Sequence, residues 1–282
     1  MDKRIIINAD DFGLSEGINK AVEQAHTDGV LTSTTIMANM PAAEEAVKIA
    51  KKLPNLGVGV HLNLFKGRPL SKDSCLDCLL NKDGRFALSR FKLSLLSMCI
   101  HRIRNAIRTE LAAQIQWVID RGLAPTHLDS HKHIHSFPAI FPIVCELAGR
   151  FKIAAIRFTF EPIAVSQMPW PLTSKDGRRR AAKARRSAKI NRIQNPHFLK
   201  TDALLGIAHM GRIDANFFKA ITLYNSAATS EVMTHPSLAE DGGTGQNKLL
   251  HQQKIELEAL CSKRTRQYFK DAAIKLVHYG NL

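Results

Sequence analysis

Two adjacent aspartates, Asp10 and Asp11, follow an apolar run in the stretch "RIIINADDFG" near the start of the chain. Such a run predicts a buried strand, so the two carboxylates should stand where that strand ends. One carboxylate can bind a metal ion while its neighbour stays off the ion and takes a proton from the attacking water. Asp11 alone could also cap the next helix, because aspartate is favoured at helix N-termini.

Polar side chains that suit the same chemistry occur in four other strand-like stretches, "GVGVHLNL", "PTHLDSHKHIH", "AAIRFTF" and "SEVMTHP". Imidazole and carboxylate groups bind divalent ions such as zinc, and three protein ligands leave one position open for water. Each residue alone has an ordinary structural explanation, such as a hydrogen-bonded core histidine or a structural ion pair. Their convergence on the ends of different strands indicates a metal site. The residues are Asn63, Asp129, Arg157, Glu231, His61, His127, His131, His133, His135 and His235.

Strand-like and helix-like segments alternate along most of the chain. This alternation predicts parallel strands in βα units, with the chemistry at the carboxyl ends of the strands. A barrel is favoured over an open sheet because no glycine-rich phosphate loop follows the first strand. The predicted strands span 4–10, 30–38, 57–64, 125–131, 154–160 and 230–235. The predicted helices span 15–29, 41–53, 107–122, 138–151, 214–226 and 249–264.

Strand parity predicts which polar residues share a face. His61 and Asn63 alternate with apolar residues in the third strand, so they should point the same way. His127, Asp129 and His131 should share a face if their strand runs as far as His131. We expect a single domain over 1–282, with irregular insertions near 65–102 and 165–200.

The motifs "NADDFG", "GVHLNL", "THLDSHKHIH" and "MTHP" resemble those of the YdjC-like carbohydrate deacetylases, also called the ChbG/HpnK family. The resemblance covers about residues 4–160 and 231–236. It implies a distorted (β/α) barrel of mainly parallel strands, similar to glycoside hydrolases and deacetylases. It also implies an enzyme that uses one divalent metal ion, Mg²⁺ or Zn²⁺, to remove acetyl groups from N-acetylated sugars.

The resemblance also implies a division of roles. Asp10 would be the general base, and Asp11, His61 and His131 would be the metal ligands. We further predict that Arg157 stabilises the oxyanion together with the metal. His235 is the predicted acid for the leaving amine, and His133 or His135 is the competing one. The residues predicted to contact the sugar are Asn63, Asp129, His133, His135 and Glu231.

The charge of the chain allows two other functions. A formal net charge of +15 and a pI of about 9.8 are typical of proteins with polyanionic partners. A phosphodiesterase-type metal hydrolase on the same barrel would use the same ligands. A nucleic-acid-binding protein is disfavoured, because the basic residues cluster in 175–192 without interleaved aromatic residues and no recognition motif appears.

The distribution of charge and of apolar residues predicts where the protein acts. The scattered cysteines and the absence of a signal-peptide pattern or a long apolar run favour the cytoplasm. Segment 175–192 is strongly basic and rich in helix formers, and 86–108 has the composition of a helix in a membrane interface. A solvated charge run beside an ordinary core helix explains both equally well. The sharper hypothesis is peripheral contact with the anionic inner face of the membrane and a lipid-linked substrate, a glycolipid. A homodimer is a further candidate partnership.

Overall fold

The computed structural model describes residues 3–169, 173–194, 198–238 and 247–282. Its strands are β1 Arg4–Phe12, β2 Ser33–Ile36, β3 Gly57–Leu62, β4 His127–Ser130, β5 Ala155–Ile156, β6 Ala203–Leu205, β7 Thr229–Thr234 and β8 Lys275–Leu276. Its α-helices are α1 Glu16–Thr27, α2 Ala43–Lys52, α3 Arg90–Cys99, α4 His101–Asp120, α5 Phe141–Arg150, α6 Ile163–Ser166, α7 Lys175–Gln194, α8 Ala215–Tyr224, α9 Asn247–Cys261 and α10 Lys263–Asp271. Short 3₁₀ helices span Ser74–Leu79, His131–Ser136 and Tyr279–Asn281.

The strands form one sheet in the order β5-β4-β3-β2-β1-β7-β6, and β8 also pairs with β1. Each pairing between the described strands is parallel. The amide of Leu204 in β6 donates a hydrogen bond to the carbonyl of Phe160, which follows β5, at 2.8 Å. This bond links the two edges of the sheet. The sheet curves into an incomplete barrel surrounded by helices, which confirms the predicted α/β class and the barrel of parallel strands.

The residues of β1 alternate between two environments. Ile5 and Ile7 join the large core beneath the outer helices. Ile6 faces inward and packs in a small interior cluster with Ala155, Val277 and Tyr279. Asn8 and Asp10 have the parity of Ile6 and therefore lie above this apolar plug, towards the carboxyl end of the barrel. The alternation thus places polar groups where the strands end.

The predicted helices form because their apolar residues recur at helical spacing. In α1 the Ser15 side chain accepts a hydrogen bond from the Ile18 amide and caps the helix, so Asp11 does not cap it. The predicted helix over 175–192 is confirmed by α7. The predicted helix over 249–264 is instead two helices, because the Ser262 side chain caps a new helix, α10.

Several predicted strands are shorter than expected, and two of these differences change the position of site residues. The strand predicted over 125–131 ends at Ser130, so His131 lies beyond it and does not belong to its alternating face. The strand predicted over 154–160 pairs regularly over two residues only, and Arg157 follows it directly. The strands β6 and β8 were not predicted, because two or three residues are too few to show an alternating pattern.

The segments predicted as irregular insertions contain helices. Residues 65–102 include a 3₁₀ helix and α3. Residues 165–200 include the whole of α7, while 170–172 and 195–197 lie outside the described residues. No helix in the described part of the chain is long and apolar enough to cross a membrane.

Candidate metal centre and active site

The carboxylates of Asp10 and Asp11 both lie near His61 because β1 is irregular at these two residues. Neighbouring residues of a regular strand point to opposite faces. The register between β1 and β2 shifts between Ala9 and Phe12. Asp11 adopts a left-handed backbone conformation, with φ 66°, which aspartate tolerates better than most residues. As a result, both carboxylates come within reach of His61.

Asp11, His61 and His131, the three residues predicted as metal ligands, meet at the carboxyl end of the barrel. The Oδ1 atom of Asp11 lies 3.3 Å from His61 Nε2 and 3.0 Å from His131 Nδ1. One potential ligand atom from each residue lies within 4.8 Å of the others. His61 is buried and His131 is partly exposed, so the cluster is open on one side. One carboxylate and two imidazoles around one point are a donor set that suits a catalytic divalent ion.

The ring of His61 is held in one orientation by Asp129 and Thr35. The Nδ1 atom lies 2.7 Å from Asp129 Oδ1 and 3.1 Å from Thr35 Oγ1. With a metal ion in place, a proton on Nδ1 shared with Asp129 would leave the lone pair of Nε2 free for the ion, on the side of Asp11. Burial alone would lower the pKa of His61, but Asp129 and Asp11 outweigh it and raise the pKa to about 10. The centre therefore already stabilises a positive charge.

His131 is presented by a tight turn rather than by a strand. Lys132 and His133 adopt left-handed conformations, with φ 55° and 54°, directly after it. Ser130 fixes the turn, because its hydroxyl accepts a hydrogen bond from the His135 amide (2.9 Å) and lies 2.5 Å from the His135 ring. Burial lowers the pKa of His131, although its contact with Asp11 opposes this shift. A neutral imidazole is the form that binds a metal ion.

Arg157 is buried beneath the centre and contacts three carboxylates. Its guanidinium donates to both oxygens of Asp10, at 2.8 and 2.7 Å. It also lies 2.6 Å from Asp129 and 2.6 Å from Glu231. Burial alone would lower the pKa of Arg157, but the carboxylates raise it well above its usual range. The prediction that Arg157 stabilises the oxyanion is therefore revised, because its donors are directed to carboxylates. We assign it to holding Asp10.

Two of the residues predicted to contact the sugar are instead buried partners of this network. Asp129 bridges His61 and Arg157. Glu231 bridges Arg157 and the hydroxyl of Tyr279, which donates to it at 2.5 Å. Neither side chain is exposed, so we revise the predicted contact with the sugar to a role in positioning the reactive groups.

His235 approaches Asp10 from the other side. Its Nε2 atom lies 3.9 Å from Asp10 Oδ2, and its side chain is partly exposed. The amide of His235 donates a hydrogen bond to the buried carboxyl group of Glu256 in α9, at 2.7 Å. Burial raises the pKa of Glu256 to about 7. Sequence reasoning missed Glu256, although it shares a buried helical stripe with Gln253 and Leu260.

The comparison with known families agrees with this geometry. Residues 4–271 match the family model described as "YdjC-like protein". The chain belongs to the YdjC-like family. Two relatives named carbohydrate deacetylase match over nearly their full length. The protein of Brevibacillus brevis is 32% identical over 279 residues, 99% of each chain. That of Clostridium beijerinckii is 30% identical over 280 residues, 99% of this chain and 100% of the relative.

A solved structure of an Enterococcus faecalis V583 protein shares the YdjC-like fold seen here. That protein is provisionally described as a cellobiose-phosphate cleavage protein. It aligns with a TM-score of 0.77 at 21% identity, over 100% of this chain and 99% of its own. At this identity the likeness concerns the fold alone.

In this YdjC-like chain, Asn63 shapes the turn after β3. Its amide group donates to the side chain of Asn39 and to the carbonyl of Lys66, at 2.9 and 2.8 Å. Its side-chain oxygen accepts from the amides of Phe65 and Lys66. These bonds use the full hydrogen-bonding capacity of the side chain. We therefore revise its predicted contact with the sugar to a role in holding this turn.

The two remaining histidines of the YdjC-like motif stay close to the centre. Burial lowers the pKa of His133 to about 3, and burial also lowers the pKa of His135 well below its usual range. Both imidazoles are therefore neutral at pH 7, so neither is a ready proton donor. His135 supports the turn of His131, whereas His133, which is partly exposed, stays a predicted contact for the sugar.

Proposed function

We propose that this protein is a metal-dependent deacetylase that hydrolyses the acetamide of an N-acetylated sugar. The observation that carries the proposal is the division of the aspartate pair. Asp11 contacts both imidazoles, while both oxygens of Asp10 are bound by Arg157. A hydrolase of this type needs one carboxylate as a ligand and a second one free to act as a base. Membership of the family and the names of its relatives support the sugar amide as the substrate.

The residues present fit a divalent ion. Asp11, His61 and His131 would hold it, and the orienting contact of Asp129 with His61 is typical of metal-binding histidines. Two imidazoles and one carboxylate favour zinc, or another ion that binds imidazole, over magnesium, which prefers oxygen ligands. When bound, such an ion polarises the acetyl carbonyl group and lowers the pKa of the attacking water.

Asp10 is suited to take the proton from the attacking water. Burial alone would raise the pKa of Asp10, but Arg157 outweighs it and holds the pKa well below its usual range. The carboxylate is therefore ionised across the working pH range, which is the form that can accept a proton. Its salt bridge with Arg157 fixes the direction of its oxygens.

His235 is suited to protonate the leaving amine. It is partly exposed, lies beside Asp10 and is positioned through its backbone by Glu256. His133 and His135 are weaker candidates, because burial keeps both neutral. Asp10 and His235, whose side chains lie 3.9 Å apart, would thus act as base and acid on one reacting group.

Acetate release tests this function. The purified protein should release acetate from N-acetylglucosamine or its short oligomers, lose this activity after chelation and regain it with zinc. Hydrolysis of a phosphodiester such as bis(4-nitrophenyl) phosphate, without any acetate release, would contradict the proposal and favour the phosphodiesterase. Metal analysis of the untreated protein identifies the ion.

We further propose that the natural substrate is lipid-linked and that α3 rests on an anionic membrane. Phe91, Leu95 and Met98 are 76%, 49% and 62% exposed and recur at i, i+4 and i+7, so they form one apolar stripe. Residues 84–109 contain six Lys or Arg residues and no acidic residue. Apolar groups beside cations are typical of helices that lie in a membrane interface.

The position of α3 relative to the centre agrees with this proposal. Arg90, at the start of α3, lies 5.3 Å from the ring centroid of Phe137. Phe137 directly follows the turn that carries His131. A lipid surface on α3 would therefore lie near the mouth of the site.

Vesicle sedimentation tests this contact. Binding should rise with anionic lipid and fall in Phe91→Ser and Leu95→Ser, whereas Leu223→Ser, a matched change at another exposed apolar residue in α8, should leave it unchanged. If all these proteins ignore anionic vesicles, or if the serine variants break a homodimer instead, the membrane contact is wrong while the deacetylase assignment stands.

A further inference from the structure

A cavity lies outside the metal centre, between α7 and the segment that follows β5. It is a groove of about 490 Å³ with two contrasting walls. Phe158 and Phe160 form an apolar floor, with ring centroids 6.3 Å apart and nearly parallel planes. Four cationic side chains of α7 form the opposite wall. They are Arg185, Arg186, Lys189 and Arg192.

The cations of this wall converge because of their helical spacing. Arg185, Lys189 and Arg192 recur at i, i+4 and i+7, so they share one face of α7. Arg185 is anchored by the carbonyl of Glu161 and the hydroxyl of Ser166. The other three are exposed and form no hydrogen bond or ion pair with any described residue. A set of unpaired cations around one cavity favours an anionic occupant.

The remaining charged neighbours of the groove do not neutralise this wall. Asp202 also lines the groove, but its carboxylate accepts hydrogen bonds from the amide and hydroxyl of Thr229, at 2.9 and 2.7 Å. Lys200 adds a further cation, whose Nζ lies 5.4 Å from the ring centroid of Phe158. The net charge around the floor therefore stays positive.

Both walls of the groove are connected to elements that carry residues of the metal centre. Phe158 directly follows Arg157, which faces inward and holds Asp10. On the opposite wall, Asn191 of α7 donates a hydrogen bond to the carbonyl of Ser136, at 3.0 Å. Ser136 ends the turn that carries His131. Both walls are thus tied to elements that hold the reactive groups.

We propose that this groove binds the phosphate or diphosphate of an amphiphilic carrier, with the start of its apolar chain on Phe158 and Phe160. The cations match the charge of the phosphates, and the aromatic floor matches the chain. An anion without an apolar chain would leave the two phenylalanine rings exposed to water, and a neutral lipid would leave the cations without a partner. This inference rests on the proposed function, because it identifies the carrier to which the N-acetylated sugar is joined.

Calorimetric titration of the whole metal-loaded protein tests the groove directly. The probes are farnesyl diphosphate, inorganic diphosphate and farnesol. We expect farnesyl diphosphate to bind at least roughly tenfold more tightly than either of its parts. Arg186→Gln, Lys189→Gln and Arg192→Gln combined should weaken it by roughly tenfold or more. Phe160→Ser should weaken farnesyl diphosphate but leave inorganic diphosphate unchanged.

Lys183→Gln is the matched control, because Lys183 is exposed on α7 but does not line the groove. Equal affinities for inorganic and farnesyl diphosphate would reduce the groove to a general anion patch and overturn the inference. Tighter binding of a single-stranded oligonucleotide than of farnesyl diphosphate would also overturn it. An effect of Lys183→Gln as large as that of the triple variant would show that only net charge matters.

Acetate release separates the groove from the proposed function. The substrates are free N-acetylglucosamine and N-acetylglucosamine joined to farnesyl diphosphate. The triple variant should raise the KM for the joined substrate and leave kcat and the free sugar unaffected. If the wild type hydrolyses neither substrate, the proposed function fails, and the calorimetric titration alone tests whether the groove binds the carrier. If both are hydrolysed and the triple variant changes nothing, the groove inference fails.

Discussion

The guanidinium of Arg157 forms a bidentate salt bridge with the carboxylate of Asp10, with Nη1–Oδ2 at 2.8 Å and Nη2–Oδ1 at 2.7 Å. Arg157→Lys keeps the charge and removes this planar fork, so we expect turnover to fall roughly ten- to a hundredfold while metal content stays normal. Arg157→Met should also destabilise the fold by about 3–5 kcal/mol, because three buried carboxylates lose their partner. Acetate release and urea unfolding measure the two effects. A lysine variant with wild-type turnover would show that the fork is not needed.

The aspartate pair should respond differently to the same change. Asp10→Asn should retain the metal and lose roughly two to four orders of magnitude in turnover, as expected for a lost general base. Asp11→Asn should lose metal affinity, as should His61→Ala and His131→Ala. Metal analysis and acetate release on the same samples compare them. If Asp10→Asn empties the site as fully as Asp11→Asn, the assignment of base and ligand is wrong.

His235 should contribute to the rate and little to metal affinity. His235→Ala should lower turnover on an N-acetylated sugar and remove the basic limb of the pH–rate profile. His133→Ala serves as the comparison, because burial keeps that imidazole neutral and it should leave the basic limb in place. Acetate release between pH 5 and 10 measures both variants. A normal profile in His235→Ala together with a lost limb in His133→Ala would reverse the assignment.

Asp129 should act through His61. It accepts the Nδ1 proton of His61 and so directs Nε2 to the centre. Asp129→Asn should therefore weaken metal affinity by roughly ten- to a hundredfold, the usual effect of losing a partner that orients a ligand. Competition with a chromogenic chelator measures this affinity. Unchanged affinity in a folded variant would show that the packing of His61 suffices to orient it.

The resemblance to the YdjC-like motifs implied Asp11, His61 and His131 as ligands, and the structure brings these three side chains together. Strand ends alone indicated a metal site at the carboxyl end of the sheet without assigning the ligands. The supporting roles of Asp129 and Glu231 depend on Arg157 and Tyr279, which are distant along the chain. Strand parity places such residues on the inner face but does not say which partner they meet.

The local irregularities of the backbone could not be predicted from the sequence either. The left-handed Asp11 and the shift in the β1–β2 register turn two adjacent carboxylates towards one centre, and a regular strand would have separated them. His131 lies past its strand, on a turn of left-handed residues. The short strands β6 and β8 carry too few residues to show a period, yet β6 joins the far edge of the barrel.

The buried Glu256 should make the stability of the fold depend on pH. Burial raises the pKa of this carboxyl group to about 7 in the folded protein, from 4.5. Between these values the folded state binds more protons than the unfolded state, so the free energy of unfolding must fall as pH rises. The loss should be on the order of 3 kcal/mol once pH exceeds the folded pKa.

Glu256→Gln tests this dependence, because glutamine keeps the hydrogen bond to the His235 amide and cannot ionise. In chelator-treated protein, urea unfolding at pH 5 and pH 8 should differ clearly for the wild type and much less for the variant. Glu258→Gln, a change at the neighbouring exposed glutamate in α9, is the control and should keep the wild-type difference. A variant that loses as much stability as the wild type between these pH values would show that another group carries the effect. If the stability of Glu256→Gln does not depend on pH and its kcat is also reduced, the charge of Glu256 would additionally contribute to catalysis by His235.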